Sequence, residues 1–552
     1  MKVTEALDPT DMKSPRHETN TAGRETTPKT DAALPMERHG CPRNRANNKG
    51  GPNPIEGPSP AKITARAGFW VLACWVVIAG AAFHAAYAFP QAGFLVLLYQ
   101  VALVRLAQAG TWRRAYYAGL AVGFLLATVR LAFFWRIFSA GAIALWYVYA
   151  VWIGLFTALA GICLRRLPSR VPAAATATPE AWRIPDSPFH ALLEVGYALL
   201  VPFLWCGLEY FRSELYYLRF SWLSPGFAFS ALPWTVPLSS VGAYGLSFLL
   251  MFIACAAVLL WPRSRVQSLA AVLIGLGVLS AWGFASSHRP AASEASLRVA
   301  GVQMECPTEK EVLAQLDTLI HKHPEADLLV LSEYTFTEPV PQKVRDWCRN
   351  RGRYLVVGGE DPLPGGKFYN TAFVISPAGE IVFRQVKSVP IQFFKDGLPA
   401  PEQRVWDSPW GKIGFCVCYD LSYSRVTDRL VQLGAQTLIA PTMDVEDWGR
   451  RQHELHARVA PVRAAEYGIP IFRLTSSGIS QAVAGDGRVL ASAPFPGYGA
   501  TLFAHFDLPA RGRLPLDRWL APFASGLTVA FIVGLLAARV MDRRHANSES
   551  HN

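Results

Sequence analysis

The distribution of apolar runs constrains this chain more than any other feature. Runs near residues 69–89, 91–108, 115–136, 141–163, 190–210, 235–261 and 267–286, and again near 519–539, are each about the 20 residues that a helix needs to cross a hydrocarbon core. Backbone in lipid has to satisfy its polar groups internally, so such runs form helices rather than open sheets. The expected architecture is a membrane-embedded α-helical bundle of about eight spans, interrupted once by a long stretch of different pattern. Aromatic residues near several run ends suit the membrane interface. Arg130 sits inside the run at 115–136, where a cation needs a polar partner or a path to the interface.

Charge gives an orientation. The formal net charge is +12, yet no compact basic motif points to nucleic acid, and much of the excess flanks apolar runs. With the N-terminus in the cytoplasm, Arg113 and Arg114, then Arg165, Arg166 and Arg170, then Arg263 and Arg265, and finally Arg539, Arg543 and Arg544 all fall on the cytoplasmic side. The expected organisation is then a disordered cytoplasmic extension over 1–67, a transmembrane bundle over 68–289, an extracytoplasmic domain over 290–515, and a last span with a cytoplasmic tail over 516–552. Residues 1–67 are polar and proline-rich, without a hydrophobic period long enough for a core. The nine cysteines form neither a disulfide framework nor a metal-ligand spacing, so no metal and no cofactor are expected.

Between the seventh and last runs the pattern becomes that of an α/β protein. Leu297–Gln303, Ala326–Leu331, Tyr354–Gly359, Asn370–Ile375, Gly414–Asp420 and Thr437–Ala440 read as strands, with helices at Glu311–His321 and 424–433. Such alternation predicts an α/β sandwich with buried sheets. Glu333, Lys387 and Cys418 each follow one of these strand-like runs. Strand ends hold side chains rigidly, which suits a nucleophile, a base and a charge stabiliser. Cys418 would attack a carbonyl, Glu333 would take its proton, and Lys387 would stabilise the oxyanion. Taken singly, each has a blander reading, because a lone cysteine at a strand end is more often a small buried hydrophobe. Cys416 is assigned to the core. Trp205, Glu209 and Arg212 stand at helical spacing, and the Phe220-Ser-Trp222 loop after them is either an interfacial anchor or a lip over the site. His453 and His456 have no ligand partners in sequence, and His456 is expected in a helix or a pocket wall.

Leu331-Ser-Glu333, Lys387 ahead of Val389-Pro390, and Gly414-Phe-Cys-Val-Cys418-Tyr-Asp420 resemble the motifs of the carbon–nitrogen hydrolase, or nitrilase, superfamily. The membrane framing resembles more narrowly its apolipoprotein N-acyltransferase branch. That likeness runs through Trp205…Glu209…Arg212, Phe220-Ser-Trp222, Pro237…Ser240…Gly242…Gly245, His456…Arg463-Ala-Ala-Glu466 and Thr475-Ser-Ser-Gly478-Ile-Ser480. The resemblance implies an α-β-β-α sandwich carrying the catalytic set Glu333, Lys387 and Cys418. It also implies substrate-binding or supporting places for Trp205, Glu209, Arg212, Tyr334, Gln392, Tyr419, Asp420, Trp448 and Ser477. The implied partners are a phospholipid acyl donor and a diacylglyceryl lipoprotein acceptor, handled by a monomer integral to a bacterial inner membrane. Its catalytic domain would lie in the periplasm and both termini in the cytoplasm.

The chain departs from that branch in places. The run Lys387-Ser-Val-Pro-Ile-Gln392-Phe-Phe-Lys395 is short and lacks a glutamate, leaving Gln392 or Asp396 as the neighbouring polar groups. Asp420 stands where a glutamate is usual, and Asp444…Asp447-Trp448 is a loose version of a downstream motif. These departures leave a membrane-bound amidase, an acyltransferase with another amine acceptor, and a catalytically inactive assembly component as alternatives.

Overall fold

A computed structural model describes residues 60–165, 188–262, 264–286 and 295–549. Most of the expected polar extension, residues 1–59, lies outside the described residues, and 60–67 form the first turns of α1 (Pro60–Ala88). The bundle continues with α2 (Val96–Ala107), α3 (Trp112–Arg130), α4 (Phe134–Phe138), α5 (Gly141–Arg165), α6 (Pro188–Tyr210), α7 (Leu238–Leu260) and α8 (Arg265–Ser286). Among the described residues, five stretches rather than about eight are long and apolar enough to span: Gly68–Ala88, Pro90–Ala107, Gly141–Arg165, Leu238–Leu260 and Asp517–His545. The run at 115–136 falls short because α3 opens on Trp112-Arg-Arg114, ends at Arg130, and is separated by 131–133 from the short α4. The described apolar part of α8 is the shorter Arg265–Ala281. The α6 helix is absent from that set and carries Pro202 and the buried Glu209.

Small residues draw α3 and α5 together, as helices packing without a hydrophobic drive require. Thr157 Oγ1 on α5 donates to the Ala115 carbonyl on α3 at 2.8 Å. Arg130 finds its polar partner in His84 on α1, through both the ring Nδ1 and the backbone carbonyl, with its guanidinium 5.8 Å from the Tyr87 ring centroid.

The α/β domain opens with β1 (Ser296–Val302), α9 (Glu309–Lys322), β2 (Leu328–Val330), α10 (Gln342–Arg351), β3 (Tyr354–Leu363), β4 (Lys367–Ile375) and β5 (Ile381–Val386). Thr308 and Glu311 form a capping box that starts α9. The second half comprises β6 (Val405–Ser408), β7 (Gly411–Phe415), α11 (Ser424–Gln432), β8 (Thr437–Thr442), α12 (Arg450–Ala457), α13 (Val459–Tyr467), β9 (Ile471–Thr475), β10 (Ser480–Val483), β11 (Val489–Ala493) and β12 (Thr501–Asp507). The long α14 (Asp517–Glu549) returns the chain to the bundle.

The strands form two six-stranded mixed sheets, ordered β12-β1-β2-β3-β4-β5 and β11-β10-β9-β8-β7-β6. The period-2 alternation of side chains sorts the first sheet. Leu297, Val299, Leu328, Val330, Val356 and Val374 face the second sheet's Ile413, Phe415, Leu438 and Phe472 in one core. Their neighbours Ala300, Val302, Leu329, Leu331, Leu355 and Val357 pack on Val312, Leu316 and Leu319 of α9 and Val344 and Cys348 of α10. The result is the helix-sheet-sheet-helix layering expected from the sequence.

One local expectation needs correction. The run Gly414–Asp420 is not a continuous strand, because β7 ends at Phe415 and Cys418–Ser422 form a 3-10 turn. Residues two apart on a strand share a face, and Cys416 and Cys418 occupy different surroundings because the strand has already ended.

Candidate active site

Three strand ends converge. The β2 strand delivers Glu333, β5 delivers Lys387, and β7 leads through two residues into Cys418. Cys418 has φ of 52° and Tyr334, next to Glu333, has φ of 49°. A left-handed backbone at a non-glycine residue is strained, and such strain concentrates where a site needs a side chain held at a sharp turn. Gly358 on β3 makes room for the Glu333 turn, since a Cβ there would stand 2.6 Å from the Glu333 Cα.

Glu333 is gripped on both oxygens. Its Oε1 accepts from Lys387 Nζ at 2.8 Å and Asn370 Nδ2 at 2.7 Å, and its Oε2 from the Met443 amide at 2.7 Å. Lys387 Nζ also touches Asp396 Oδ2 at 2.7 Å. Asp396 in turn accepts from Tyr334 Oη at 3.0 Å, Asn370 Nδ2 at 2.9 Å and the Ile391 amide at 2.8 Å. One ammonium thus lies between two carboxylates with all three side chains buried. Burial opposes the charge on Lys387, but Asp396 and Glu333 outweigh it and hold the ammonium firmly protonated. Burial pushes Glu333 above the usual carboxylate range, with Asp396 adding to it and Lys387 opposing.

The Cys418 thiol donates to the Met443 carbonyl oxygen at 3.8 Å, on the residue whose amide holds Glu333 Oε2. Burial, then the Glu333 carboxylate, raises its pKa well above the ordinary thiol value. The resting state is therefore a protonated thiol, so any attack by this sulfur requires its proton to be removed. Cys418 is 2 % exposed, so its sulfur is reached through a cavity rather than from bulk solvent.

That cavity, of about 960 Å³ including its mouth, spans the boundary between the bundle and the α/β domain. Phe133, Phe134, Ile137 and Trp152 line it from the bundle, facing Cys418 and Tyr419. A smaller cavity of about 340 Å³ holds Glu333, Lys387 and Asp396. The two share Ile391, Phe394 and Trp448 as walls, so the loop after Lys387 and the Trp448 turn stand where they meet.

The supporting positions divide. Arg212, Gln392, Tyr419 and Trp448 line the larger cavity, and Tyr334 and Trp448 the smaller. Arg212 donates to the Phe220 carbonyl at 3.0 Å, with its guanidinium 4.8 Å from the Tyr149 ring. Gln392 Nε2 donates to the Tyr217 carbonyl at 3.1 Å, and Tyr419 Oη to the Arg219 carbonyl at 3.1 Å. The Asp420 carboxylate ties the Lys387 loop to the Cys418 turn by accepting from the Ser388 and Val389 amides at 3.0 and 2.8 Å and from the Val417 amide at 3.2 Å.

Trp205 and Glu209 are absent from both cavity walls, meeting at Ser247 inside the bundle through contacts of 2.7 and 2.5 Å. Ser477 is buried between β9 and β10 and lines neither cavity, because that turn packs away from the sulfur. Trp222 takes the lip position, lining the larger cavity and donating to Ser422 Oγ at 2.8 Å.

Residues outside the expected catalytic and supporting set complete the site, and His456 stands in a pocket wall and on a helix, as expected. Asn370 and Asp396 hold Glu333 and Lys387. The one cue for Asn370 is a polar residue opening an apolar strand, and for Asp396 its place just beyond the short post-lysine run. Asp444, Gln452 and His456 line the Cys418 cavity, with Arg473 behind them. An arginine inside the apolar strand Ile471–Thr475 is the sequence cue to a buried carboxylate.

Comparison with known proteins agrees with this geometry. Residues 79–256 match the family described as "Apolipoprotein N-acyltransferase N-terminal domain", and residues 298–515 match "Carbon-nitrogen hydrolase". The apolipoprotein N-acyltransferase of Geobacter metallireducens is 28% identical over 356 residues, covering 54% of this chain and 67% of that protein. That of Shewanella oneidensis is 25% identical over 344 residues, covering 54% and 65%. The chain thus spans about two thirds of the length of each. The mouse omega-amidase NIT2 is 26% identical over 120 residues, covering 19% of this chain and 44% of that enzyme. The chain carries the two domains of the apolipoprotein N-acyltransferase branch of the nitrilase superfamily. These similarities, with the membrane-length apolar helices, support a bacterial inner-membrane location and a reaction of the acyl-transfer or amidase type.

Proposed function

We propose that this protein moves an acyl chain from a phospholipid to Cys418 and then to the N-terminal amine of a diacylglyceryl-cysteine lipoprotein. One observation carries the reading: Cys418 opens into a cavity walled on its bundle side by apolar side chains, among them Phe133, Phe134, Ile137 and Trp152. A lipid chain delivered from the bilayer stays out of water on that route, and each methylene so protected is worth about 0.8 kcal/mol.

In the first half-reaction Cys418 Sγ attacks the ester carbonyl while Glu333 takes the thiol proton. Lys387 Nζ and the backbone amides at the start of the 418–422 turn stabilise the oxyanion. The carbon–oxygen bond breaks, Glu333 protonates the departing glycerol oxygen, and a lysophospholipid leaves. In the second, the amine attacks the thioester, Glu333 relays a proton from nitrogen to sulfur, and the amide departs. Asp396 keeps Lys387 charged, and Arg212 and Gln392 meet the polar part of the donor. The arginines flanking the apolar runs support an α/β domain in the periplasm with both termini cytoplasmic, an orientation that requires α3, α6 and α8 to cross the bilayer together with the five membrane-length stretches. The protein works as a monomer.

The test is intact-protein mass spectrometry. Incubation with phospholipid is expected to add one acyl mass to wild type and none to C418A, and a diacylglyceryl-cysteine peptide is expected to take that mass away. Adduct persisting in C418A overturns the nucleophile. The similarity to the omega-amidase makes hydrolysis the second reading, and discharge to water alone would establish it.

A further inference from the structure

The wall beside Cys418 carries a histidine that the two half-reactions above leave unused. His456 on α12 places Nδ1 2.8 Å from Asp444 Oδ1. Asp444 also accepts from Gln452 Nε2 at 2.9 Å and from Arg473 Nη2 at 2.5 Å. Although burial opposes its charge, His456 and Arg473 hold the Asp444 carboxyl well below the usual carboxylate range. An ionised carboxylate only accepts, so Nδ1 carries the ring proton. Burial, then Arg473, lowers the His456 pKa to about 4, so the imidazole is neutral and Nε2 is a bare lone pair. Nε2 is buried and has no partner among the described residues.

The ring cannot turn away to find a partner. It stacks on Trp222 with centroids 4.5 Å apart and planes 19° from parallel. It lines the same cavity as Cys418, and Asp444 follows directly on Met443, whose carbonyl lies 3.8 Å from the sulfur. A buried acceptor left unmet is costly, which favours a ligand that brings a donor. The reacting ester of a phospholipid offers only acceptor oxygens. A primary amine brings N–H groups, and the aromatic and aliphatic walls disfavour water as the alternative donor.

Resting on the acyl-transfer reading, we propose that His456 Nε2 accepts a hydrogen bond from the incoming amine, aims its lone pair at the Cys418 thioester, and thereby favours amide formation over hydrolysis. The step balances without a net proton on the histidine. Nitrogen bonds to the acyl carbon, the carbon–sulfur bond breaks, and one amine proton passes through Glu333 to the sulfur. The second N–H stays on His456 until the amide leaves. Asp444 is a positioning residue that fixes the tautomer.

The test separates three rates in the full chain held in detergent micelles: thioester formation from phospholipid, discharge to a diacylglyceryl-cysteine peptide, and discharge to water. In H456A, discharge to the peptide is expected to fall about tenfold or more, with thioester formation and hydrolysis within about threefold of wild type. In H456Q the amide nitrogen can donate to Asp444 while its oxygen accepts, so peptide discharge is expected to recover. An equal fall of all three rates in both variants, or unchanged peptide discharge in H456A, overturns the proposal. Wild type that forms a thioester and never acylates the peptide sinks the parent reading, whereas wild-type transfer matched by H456A sinks this inference alone.

Discussion

In the proposed reaction Glu333 takes the Cys418 proton as the sulfur attacks. Replacing the base by E333Q leaves an amide that cannot take the proton, and thioester formation is expected to fall by about 10²–10⁴-fold in single-turnover mass spectrometry. C416S is expected to leave that rate close to wild type, because Cys416 is fully buried and lines neither cavity. Equal loss in C416S would mean that the wrong sulfur has been assigned. The pH profile follows from the same pair. Glu333 has to be ionised to act, and burial raises it above its ordinary 4.5, so activity is lost as pH falls through a limb above that value. Cys418 is raised above its ordinary 9.0, so no alkaline gain is expected across neutral pH. A rise in single-turnover rate that persists in E333Q with a midpoint below 9 would show a preformed thiolate instead.

At the scale of elements, the most exacting junction is the break at the start of α7. Gly242 has φ of 74°, and a Cβ there would stand 2.2 Å from the Asp517 carboxylate. The break frees the next two amides, so that Ala243 N donates to Glu466 Oε1 at 2.8 Å and Tyr244 N to Asp517 Oδ2 at 3.0 Å. Arg518 at the head of α14 joins Asp517 at 2.6 Å and Glu466 at 3.2 Å, and Arg463 pairs Glu466 at 2.6 Å. One glycine thus lets α7, the α/β domain and α14 share a single buried charge cluster. G242A combines a strained backbone with a steric clash and is expected to cost on the order of 1–3 kcal/mol, read as a lower unfolding midpoint in detergent. An unchanged midpoint would mean that the cluster tolerates displacement. The Gly242 and Glu466 positions stand out in the sequence, but their meeting does not, because 223 residues separate Ala243 from Glu466.

At the scale of the whole molecule, orientation is the outstanding property, and the chain carries its own reporter. Cys306 is exposed on the α/β domain, whereas Cys348, Cys416 and Cys418 of that domain are buried. A membrane-impermeant maleimide applied to spheroplasts is expected to label wild type and to lose that labelling in C306S. Labelling at Cys306 only after permeabilisation would put the domain in the cytoplasm. The layered sheets, the apolar helices and the order Glu333, Lys387, Cys418 are legible along the chain, because each is a local pattern: a period of two, an unbroken apolar run, or a polar residue closing a strand. The number of membrane-length helices is not, because flanking charges and helix breaks shorten runs that look continuous as letters. Nor is the pairing of Asp396 with Lys387, of Asn370 with Glu333, or of Asp444 with His456. Those contacts join residues from different strands, turns and helices, and only the packing of two sheets against each other and onto the bundle brings them within reach of one sulfur atom.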